Sequence, residues 1–402
     1  MRRGRLLAQV GLVCVVALLA VLVVLGRPSF DAELPVALSL PSAVPSEPAP
    51  PRAWDLDEDI GAVMVLSWKG TVGWDEVRPV LLRYHIGGAL LFTPNFGGTP
   101  AGVRVWSDRL SVLASQSCAE HPTLLMLDEE GGEVANIKAS FAPPWPSSMA
   151  ALGPSRVREL ERINGAGLRS AGVDLDLAPV ADVRTNPRDG VIGGRSFGSS
   201  PAVVAPLVGA AVTGLHEGGV GATVKHWPGL GGAPGDPHVA IPTDPESEAL
   251  WTSVQLPAFA AGIAAGADVV MVTAMYAPGL GAGSVPAVFS APVISRLRTQ
   301  MGFSGVVMAD SLSMGGVSNR WTLGQAAVLA LAAGNDMLLL GNPDPGYEVA
   351  AIEAVRAAVL SGRLDRARLH ESAVRVNSLR DRWGRRFMPC RTPTVAGLAR
   401  TA

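Results

Sequence analysis

Eight short apolar runs, spaced along most of the chain, constrain its fold more than any other feature. Each run is continuous over a few residues rather than alternating with polar residues, which is typical of strands buried on both faces. The runs are 62–66, 89–92, 123–127, 173–178, 222–224, 268–272, 305–308 and 337–340. Stretches with helical character connect them, for instance 155–171, 202–217, 247–265 and 324–333.

This alternation predicts an α/β fold, a single (β/α)8 TIM-type barrel. Eight strands alternating with helices over roughly 290 residues match such a barrel in size and order. A doubly wound sheet is the alternative, but no G-x-G-x-x-G motif follows the first run. Two further helical stretches, 350–361 and 365–383, follow the eighth run and are expected to pack on the barrel.

Polar residues stand where several of the predicted strands end. In a barrel the carboxyl ends of the strands meet at one mouth, so these side chains are expected to converge there. Taken singly, an Asp at such a position is more simply explained as the cap of the next helix. The residues are Asp128, Asp182, Lys225, His226, Thr273 and Asp310.

A loop rich in Pro and Gly follows the fifth run and contains Asp236 and His238, separated by Pro237. A carboxylate beside an imidazole can orient it and stabilise its cation while the imidazole transfers a proton. The alternative is a solvated surface loop whose Asp caps a turn. Because such triplets are common in loops, the triplet alone favours the second interpretation.

The N-terminus has the pattern of a targeting segment. Three Arg residues precede an apolar run over residues 6–25, which is about long enough to cross a bilayer. Residues 1–26 are therefore a signal peptide or a membrane anchor, with the remaining chain directed outward. Lipidation of Cys14 is disfavoured because Val13 is bulkier than the small residue expected before a lipidated cysteine. Residues 27–53, rich in Pro, Ala and Ser, indicate a flexible linker.

Composition narrows the partners and the chemistry. A net charge of −2, with no basic cluster beyond the N-terminus, argues against nucleic acid. Cys118 and Cys390 allow one disulfide in an exported domain, and no metal-ligand spacing is visible. We expect no cofactor, a monomeric domain over residues 54–385, and a tail over 386–402. The membrane is a partner only if the N-terminal segment is not cleaved.

Seven motifs together resemble glycoside hydrolase family 3, and most closely its single-domain bacterial β-N-acetylhexosaminidases. The resemblance covers about residues 60–345 and follows the family's order of motifs. The motifs are LDEEGG, PSSMAALG, LDLAPVADV, VIGGRSFG, KHWPG…DPH, GVVMADSLSM and ALAAGNDMLLL. The resemblance implies a retaining exo-hydrolase that removes terminal β-linked N-acetylglucosamine, in this setting from peptidoglycan fragments outside the cytoplasm.

The resemblance also implies roles for single residues. Asp310 matches the nucleophile that forms a covalent glycosyl-enzyme, and His238 matches the general acid/base, with Asp236 as its partner. Many relatives with other sugar specificities take this acid/base from a second domain, whereas only about 60 residues follow the eighth run here. The positions that match sugar-holding residues are Asp128, Arg195, Lys225 and His226, and Asp182 matches a supporting position.

The chain departs from the family pattern at several positions around the expected site. Leu230 and Met275 stand where relatives have His, and Glu133 and Asn136 stand where relatives have Arg. Pro237 replaces a Ser in the acid/base triplet, which fixes one backbone dihedral there. These departures leave a second interpretation open, a catalytically weakened envelope protein that binds glycan or a protein partner. Trp227 and Trp251 do not decide between the two, because a Trp in a barrel is more often buried packing than a sugar platform.

Overall fold

A computed structural model describes residues 55–68, 70, 73–188, 191–341 and 344–387. The predicted targeting segment 1–26, the predicted linker 27–53 and nearly all of the predicted tail lie outside the described residues. Among the residues that are described, no helix has the length and apolarity needed to cross a bilayer. Cys118, the one cysteine in this part of the chain, is disulfide-bonded.

The predicted barrel is confirmed. Eight parallel strands close on themselves in the order β1-β10-β9-β8-β7-β6-β3-β2, and each coincides with one of the eight apolar runs. A small antiparallel hairpin, β4–β5, follows β3. The strands are β1 (Met64–Leu66), β2 (Gly88–Leu90), β3 (Leu124–Leu127), β4 (Glu129–Gly131), β5 (Val134–Ala135), β6 (Leu175–Asp176), β7 (Gly221–Trp227), β8 (Val269–Val272), β9 (Val306–Ala309) and β10 (Met337–Leu339).

Successive side chains of each strand point to opposite sides of the barrel wall. In β8, for example, Val269 and Met271 belong to the core inside the barrel, while Val270 and Val272 belong to the core between barrel and helices. Both sides are apolar and buried, which explains why the strands read as continuous apolar runs.

The helices surround the barrel and mostly follow the predicted bounds. They are α1 (Leu56–Ala62), α2 (Trp74–Tyr84), α3 (Thr93–Phe96), α4 (Pro100–Ser117), α5 (Pro146–Met149), α6 (Pro154–Ala171), α7 (Pro201–Gly218), α8 (Glu248–Val254), α9 (Leu256–Ala264), α10 (Ala291–Thr299), α11 (Gly315–Ser318), α12 (Leu323–Ala333), α13 (Pro345–Leu360) and α14 (Arg366–Trp383). Helices α6, α7 and α12 end at Gly172, Gly219 and Gly334, whose positive φ turns the chain into the next strand.

The helical stretch predicted over 247–265 is confirmed, but it is divided into two helices, α8 and α9, that meet at Gln255. Pro257 in the first turn of α9 has no N–H to continue the hydrogen-bond ladder of α8. The Gln255 side chain accepts from the backbone N of Val183 and donates to its carbonyl, both at 3.0 Å. The break therefore ties these helices to the loop after β6.

The last helix closes the end of the barrel opposite the strand carboxyl ends. Val376, Leu379 and Trp383 of α14 join the core inside the barrel. Arg380, which is buried, donates to the backbone carbonyls of His85, His121 and Pro122 at distances from 2.7 to 3.1 Å. This helix therefore covers the amino-terminal end of the barrel interior.

Candidate active site

A cavity of about 530 Å³ opens at the carboxyl ends of the strands. Its lining includes inward-facing apolar side chains of the uppermost strand positions, such as Leu90 of β2, Met271 of β8 and Leu339 of β10. The titratable side chains that line it are Asp128, Glu130, Arg195, Lys225, His226, His238 and Asp310. The structure thus brings to one cavity every predicted site residue except Asp182 and Asp236.

Four charged residues in the cavity wall form one connected network. Lys225 Nζ lies 2.5 Å from Asp128 Oδ1 and 2.6 Å from Glu130 Oε1. Arg195 donates to both oxygens of Glu130, from Nε to Oε2 and from Nη2 to Oε1, each at 2.7 Å. This two-point pairing fixes the plane of the guanidinium as well as its position.

Lys225, Glu130 and Arg195 are charged in this network despite their burial. Lys225 is only 2% exposed. Burial by itself lowers the pKa of Lys225, but the Asp128 and Glu130 carboxylates outweigh it and raise that pKa. Burial likewise raises the pKa of Glu130, and Lys225 and Arg195 outweigh it and hold the pKa well below its usual range. The cavity wall therefore presents fixed donors and acceptors whose charges balance.

His226 is held in one tautomer by its two neighbours. Its Nδ1 lies 2.7 Å from Asp182 Oδ2, and its Nε2 lies 3.3 Å from Arg195 Nη2. Arginine has only donors, so Nε2 is the acceptor and the proton of a neutral ring is on Nδ1, toward Asp182. The ring of His226 is thereby oriented from behind by Asp182 and from the side by Arg195.

Asp182 lies behind the cavity rather than in its lining. It is fully buried, and its Oδ1 also accepts from the backbone N of Leu230 at 2.6 Å. It therefore fixes both the imidazole of His226 and the start of the loop after β7. The supporting role that the resemblance implies for Asp182 stays a prediction.

Asp310 stands directly after β9 and reaches the cavity. Its backbone N donates to the carbonyl of Val272 at 2.9 Å, which continues the ladder between β8 and β9. The backbone N of Ser311 donates to Asp310 Oδ1 at 2.7 Å. One carboxylate oxygen of Asp310 is thus held by the chain itself.

The loop after β7 brings His238 into the same cavity. Asp236 Oδ1 accepts from the backbone N of His238 at 2.8 Å and lies 2.7 Å from its Nδ1. The carboxylate therefore caps a turn and orients the imidazole at once, so the two interpretations of this triplet are not exclusive. Because Asp236 occupies Nδ1, Nε2 is the nitrogen left to exchange a proton with a ligand. The side chain of His238 is 63% exposed, so that nitrogen is accessible.

Glu130 and Phe92 are among the cavity residues that were missed from the sequence. Glu130 follows Asp128 at the spacing that places both on the same face of an extended chain, and this period of two was the available signal. Phe92 lines the cavity and is 40% exposed, so it offers an aromatic surface at the entrance. No sequence signal distinguishes Phe92 from a strand residue, because it directly extends an apolar run.

Three predicted or considered residues do not face the cavity. Thr273, expected at the mouth, is completely buried and absent from the lining. Trp227 and Trp251 are buried against each other, with ring centroids 5.3 Å apart and nearly perpendicular planes. Both tryptophans are therefore core residues rather than sugar platforms.

The departures from the family pattern are accommodated in different ways. Leu230 lines the cavity as an apolar residue, whereas Met275 is fully buried in the core. Asn136 donates from Nδ2 to the carbonyl of Asp128 at 2.7 Å, and its Oδ1 accepts from Thr93. Glu133 is exposed at the turn of the β4–β5 hairpin. Of these four departures Leu230 alone lines the cavity, where Pro237 of the 236–238 turn joins it.

The hairpin is supported from behind by buried carboxyl groups. Asp176 Oδ1 accepts from the backbone N of Glu129 at 3.0 Å, and Glu129 Oε2 accepts from that of Ile137 at 2.9 Å. Burial raises the pKa of Asp176 to about 7 and that of Glu129 to about 8. Near neutral pH the group therefore retains protons and holds the hairpin with little net charge.

Within the described ranges, no group of His, Cys, Asp and Glu side chains is arranged to hold a metal ion.

Comparison with known proteins gives consistent matches. The profile of the glycosyl hydrolase family 3 N-terminal domain matches residues 56–379. Beta-hexosaminidase LpqI of Mycobacterium tuberculosis is 30% identical over 357 residues, which are 86% of this chain and 88% of that protein. Beta-hexosaminidase of Xanthomonas campestris is 32% identical over 319 residues, covering 76% of this chain and 93% of that one.

A solved structure shares the architecture. The family 3 β-N-acetylglucosaminidase from Paenibacillus superposes with a TM-score of 0.79 at 32% identity. The match covers 86% of this chain, and this chain spans 66% of that one.

Glu130 is expected to contribute strongly to stability, because it is the carboxylate shared by Lys225 and Arg195. Glu130→Gln leaves two buried cations side by side, and we expect the free energy of unfolding to fall by about 3–5 kcal/mol. Glu133→Gln removes an exposed carboxylate from the same hairpin and should change it by less than about 0.5 kcal/mol. Urea denaturation of both variants measures the difference, and equal midpoints would contradict this assignment.

Proposed function

The chain belongs to glycosyl hydrolase family 3 and is a glycoside hydrolase, and from this premise we propose that it removes terminal β-linked N-acetylglucosamine with retention of configuration. The observation that carries the proposal is the meeting of Asp310 and His238 in one cavity. The relatives named as β-hexosaminidases and β-N-acetylglucosaminidase support the choice of sugar.

Asp310 is the proposed nucleophile. Retention requires a group that attacks the anomeric carbon and forms a covalent glycosyl-enzyme, which water then hydrolyses. A carboxylate with one oxygen held by the backbone N of Ser311 is fixed for such an attack.

His238 is the proposed general acid/base, with Asp236 as its partner. In the first step the imidazolium gives a proton from Nε2 to the leaving oxygen as the glycosidic bond breaks. In the second step the neutral imidazole takes a proton from the attacking water. Asp236 supports both steps, because its Oδ1 holds the imidazole ring in place through Nδ1 and leaves Nε2 for the proton transfer.

The sugar is proposed to bind against the charged network of the cavity wall. Asp128 is partly exposed there and can accept from sugar hydroxyls, while Lys225, Arg195 and His226 supply fixed polar atoms beside it. Asp182 contributes by orienting His226. Because the network is paired before the sugar arrives, binding does not require these side chains to reorganise.

We further propose that the protein acts outside the cytoplasm on soluble peptidoglycan fragments. The sequence of residues 1–26 supports export or anchoring, and residues 27–53 support a tether. A monomer is proposed, since the cavity is built by one chain.

Release of free N-acetylglucosamine from purified wall-derived disaccharides tests the substrate. Cleavage of N-acetylglucosamine oligomers without any cleavage of the wall-derived disaccharides would reject this source.

The roles of Asp310 and His238 are separable with aryl N-acetyl-β-glucosaminides. Asp310→Ala should lower kcat/KM at least about 10⁴-fold on every leaving group, because both steps need the nucleophile. His238→Ala should lower it about 10²- to 10⁴-fold on the phenyl glycoside but little on the dinitrophenyl glycoside, whose leaving group departs without a proton.

Thermal denaturation of each variant serves as the folding control. If the wild-type protein and Asp310→Ala have the same kcat/KM on all these glycosides, the weakened, glycan-binding interpretation is favoured. Equal losses on both leaving groups in His238→Ala would remove His238 from the acid/base role.

A further inference from the structure

The turn that carries His238 is docked on the segment that follows Asp310. The backbone N of Gly315 donates to the carbonyl of His238 at 3.0 Å, and the backbone N of Gly316 donates to the carbonyl of Pro237 at 3.0 Å. Both glycines open the short helix α11, five and six residues after Asp310. Two consecutive amides of one segment thus hold two consecutive carbonyls of the other.

The absence of side chains at Gly315 and Gly316 makes this approach sterically possible. A Cβ on Gly315 would lie 2.4 Å from the carbonyl oxygen of His238. A Cβ on Gly316 would lie 2.7 Å from the carbonyl oxygen of Pro237 and 3.0 Å from the backbone N of Ile241. These are backbone atoms, which cannot rotate away. Neither glycine has a positive φ, so the need is for close approach and not for an unusual backbone conformation.

The segment beneath the turn is itself anchored to the barrel. The backbone N of Leu312 donates to the carbonyl of Leu339 in β10 at 2.9 Å. Ser313 Oγ donates to the carbonyl of Gly341 at 2.8 Å. Asp310 and the two glycines that hold the turn therefore lie on one anchored segment of backbone between β9 and β10.

The turn is also internally rigid. Its backbone N atoms at Val239 and Ala240 donate to the carbonyl of Asp236 at 3.0 and 3.1 Å. Asp236 Oδ1 holds both the backbone N and the Nδ1 of His238. Where the turn sits therefore determines where the imidazole sits.

We infer that Gly315 and Gly316 are positioning residues. Their backbone amides hold the turn that carries His238 against the loop that follows Asp310, and so set the placement of His238 relative to Asp310. This inference rests on the proposed roles of those two residues. A side chain at either glycine pushes the turn outward and withdraws the imidazole from the leaving oxygen, while Asp310 stays on its strand.

The test compares two leaving groups in Gly315→Ala and, separately, in Gly316→Ala. We expect kcat/KM to fall about 10- to 100-fold on the phenyl N-acetyl-β-glucosaminide and less than about 3-fold on the dinitrophenyl one, because only the first needs a proton from His238. Gly209→Ala is the matched control. Gly209 lies within α7, and its added Cβ would come no closer than 3.4 Å to another residue, so neither rate should change.

A loss of equal size on both leaving groups, or no loss on either, would overturn the inference while leaving the proposed function intact.

Hydrogen exchange of the wild-type protein is a readout that needs no activity. The amides of Gly315 and Gly316 are expected to be protected, and to lose protection together with the 236–241 turn when either glycine becomes Ala. If these two amides exchange in the wild type at the rate of free loop amides, they do not hold the turn, and the inference fails.

Discussion

The buried carboxylate of Glu130, shared between Lys225 and Arg195, is the interaction on which the site depends. It joins three separate parts of the chain, the hairpin after β3, the strand β7 and the turn before α7. Burying three charges is costly unless each is paired, and here Arg195 binds Glu130 at two points while Lys225 also reaches Asp128. The same pairing aligns Arg195 against His226, whose other side Asp182 holds. One electrostatic network thus fixes this wall of the cavity.

Two loops that touch each other add the proposed catalytic groups, Asp310 and His238, to this wall. Asp310 needs only the end of β9, so it is positioned by the barrel itself. His238 is on a loop, and its position is inferred to depend on the hydrogen bonds that the amides of Gly315 and Gly316 donate to that loop. This arrangement places the proposed acid/base inside the barrel itself. Its cost is that the position of the proposed proton donor depends on two hydrogen bonds between loops.

Much of this could be predicted from the sequence, for identifiable physical reasons. Strands buried on both faces leave continuous apolar runs, so all eight barrel strands were found, and the barrel topology then placed Asp128, Lys225 and Asp310 together. Features that depend on contacts between distant segments left no such periodic signal. The sequence does not show that Thr273 is turned away from the mouth, that α14 closes the barrel, or which glycines touch another loop. Leu230 was visible as a departure, and the structure shows that it alone among those departures, apart from Pro237 in the acid/base turn, reaches the cavity.

The central claim is that Asp310 forms a covalent bond to the sugar. Intact-mass measurement and peptide mapping after incubation with a slow-reacting fluorinated N-acetyl-β-glucosaminide test it most directly. The account predicts one added glycosyl mass, located on the peptide that contains Asp310 and absent from Asp310→Asn. Turnover of the reagent without any adduct, or an adduct on another residue, would contradict it.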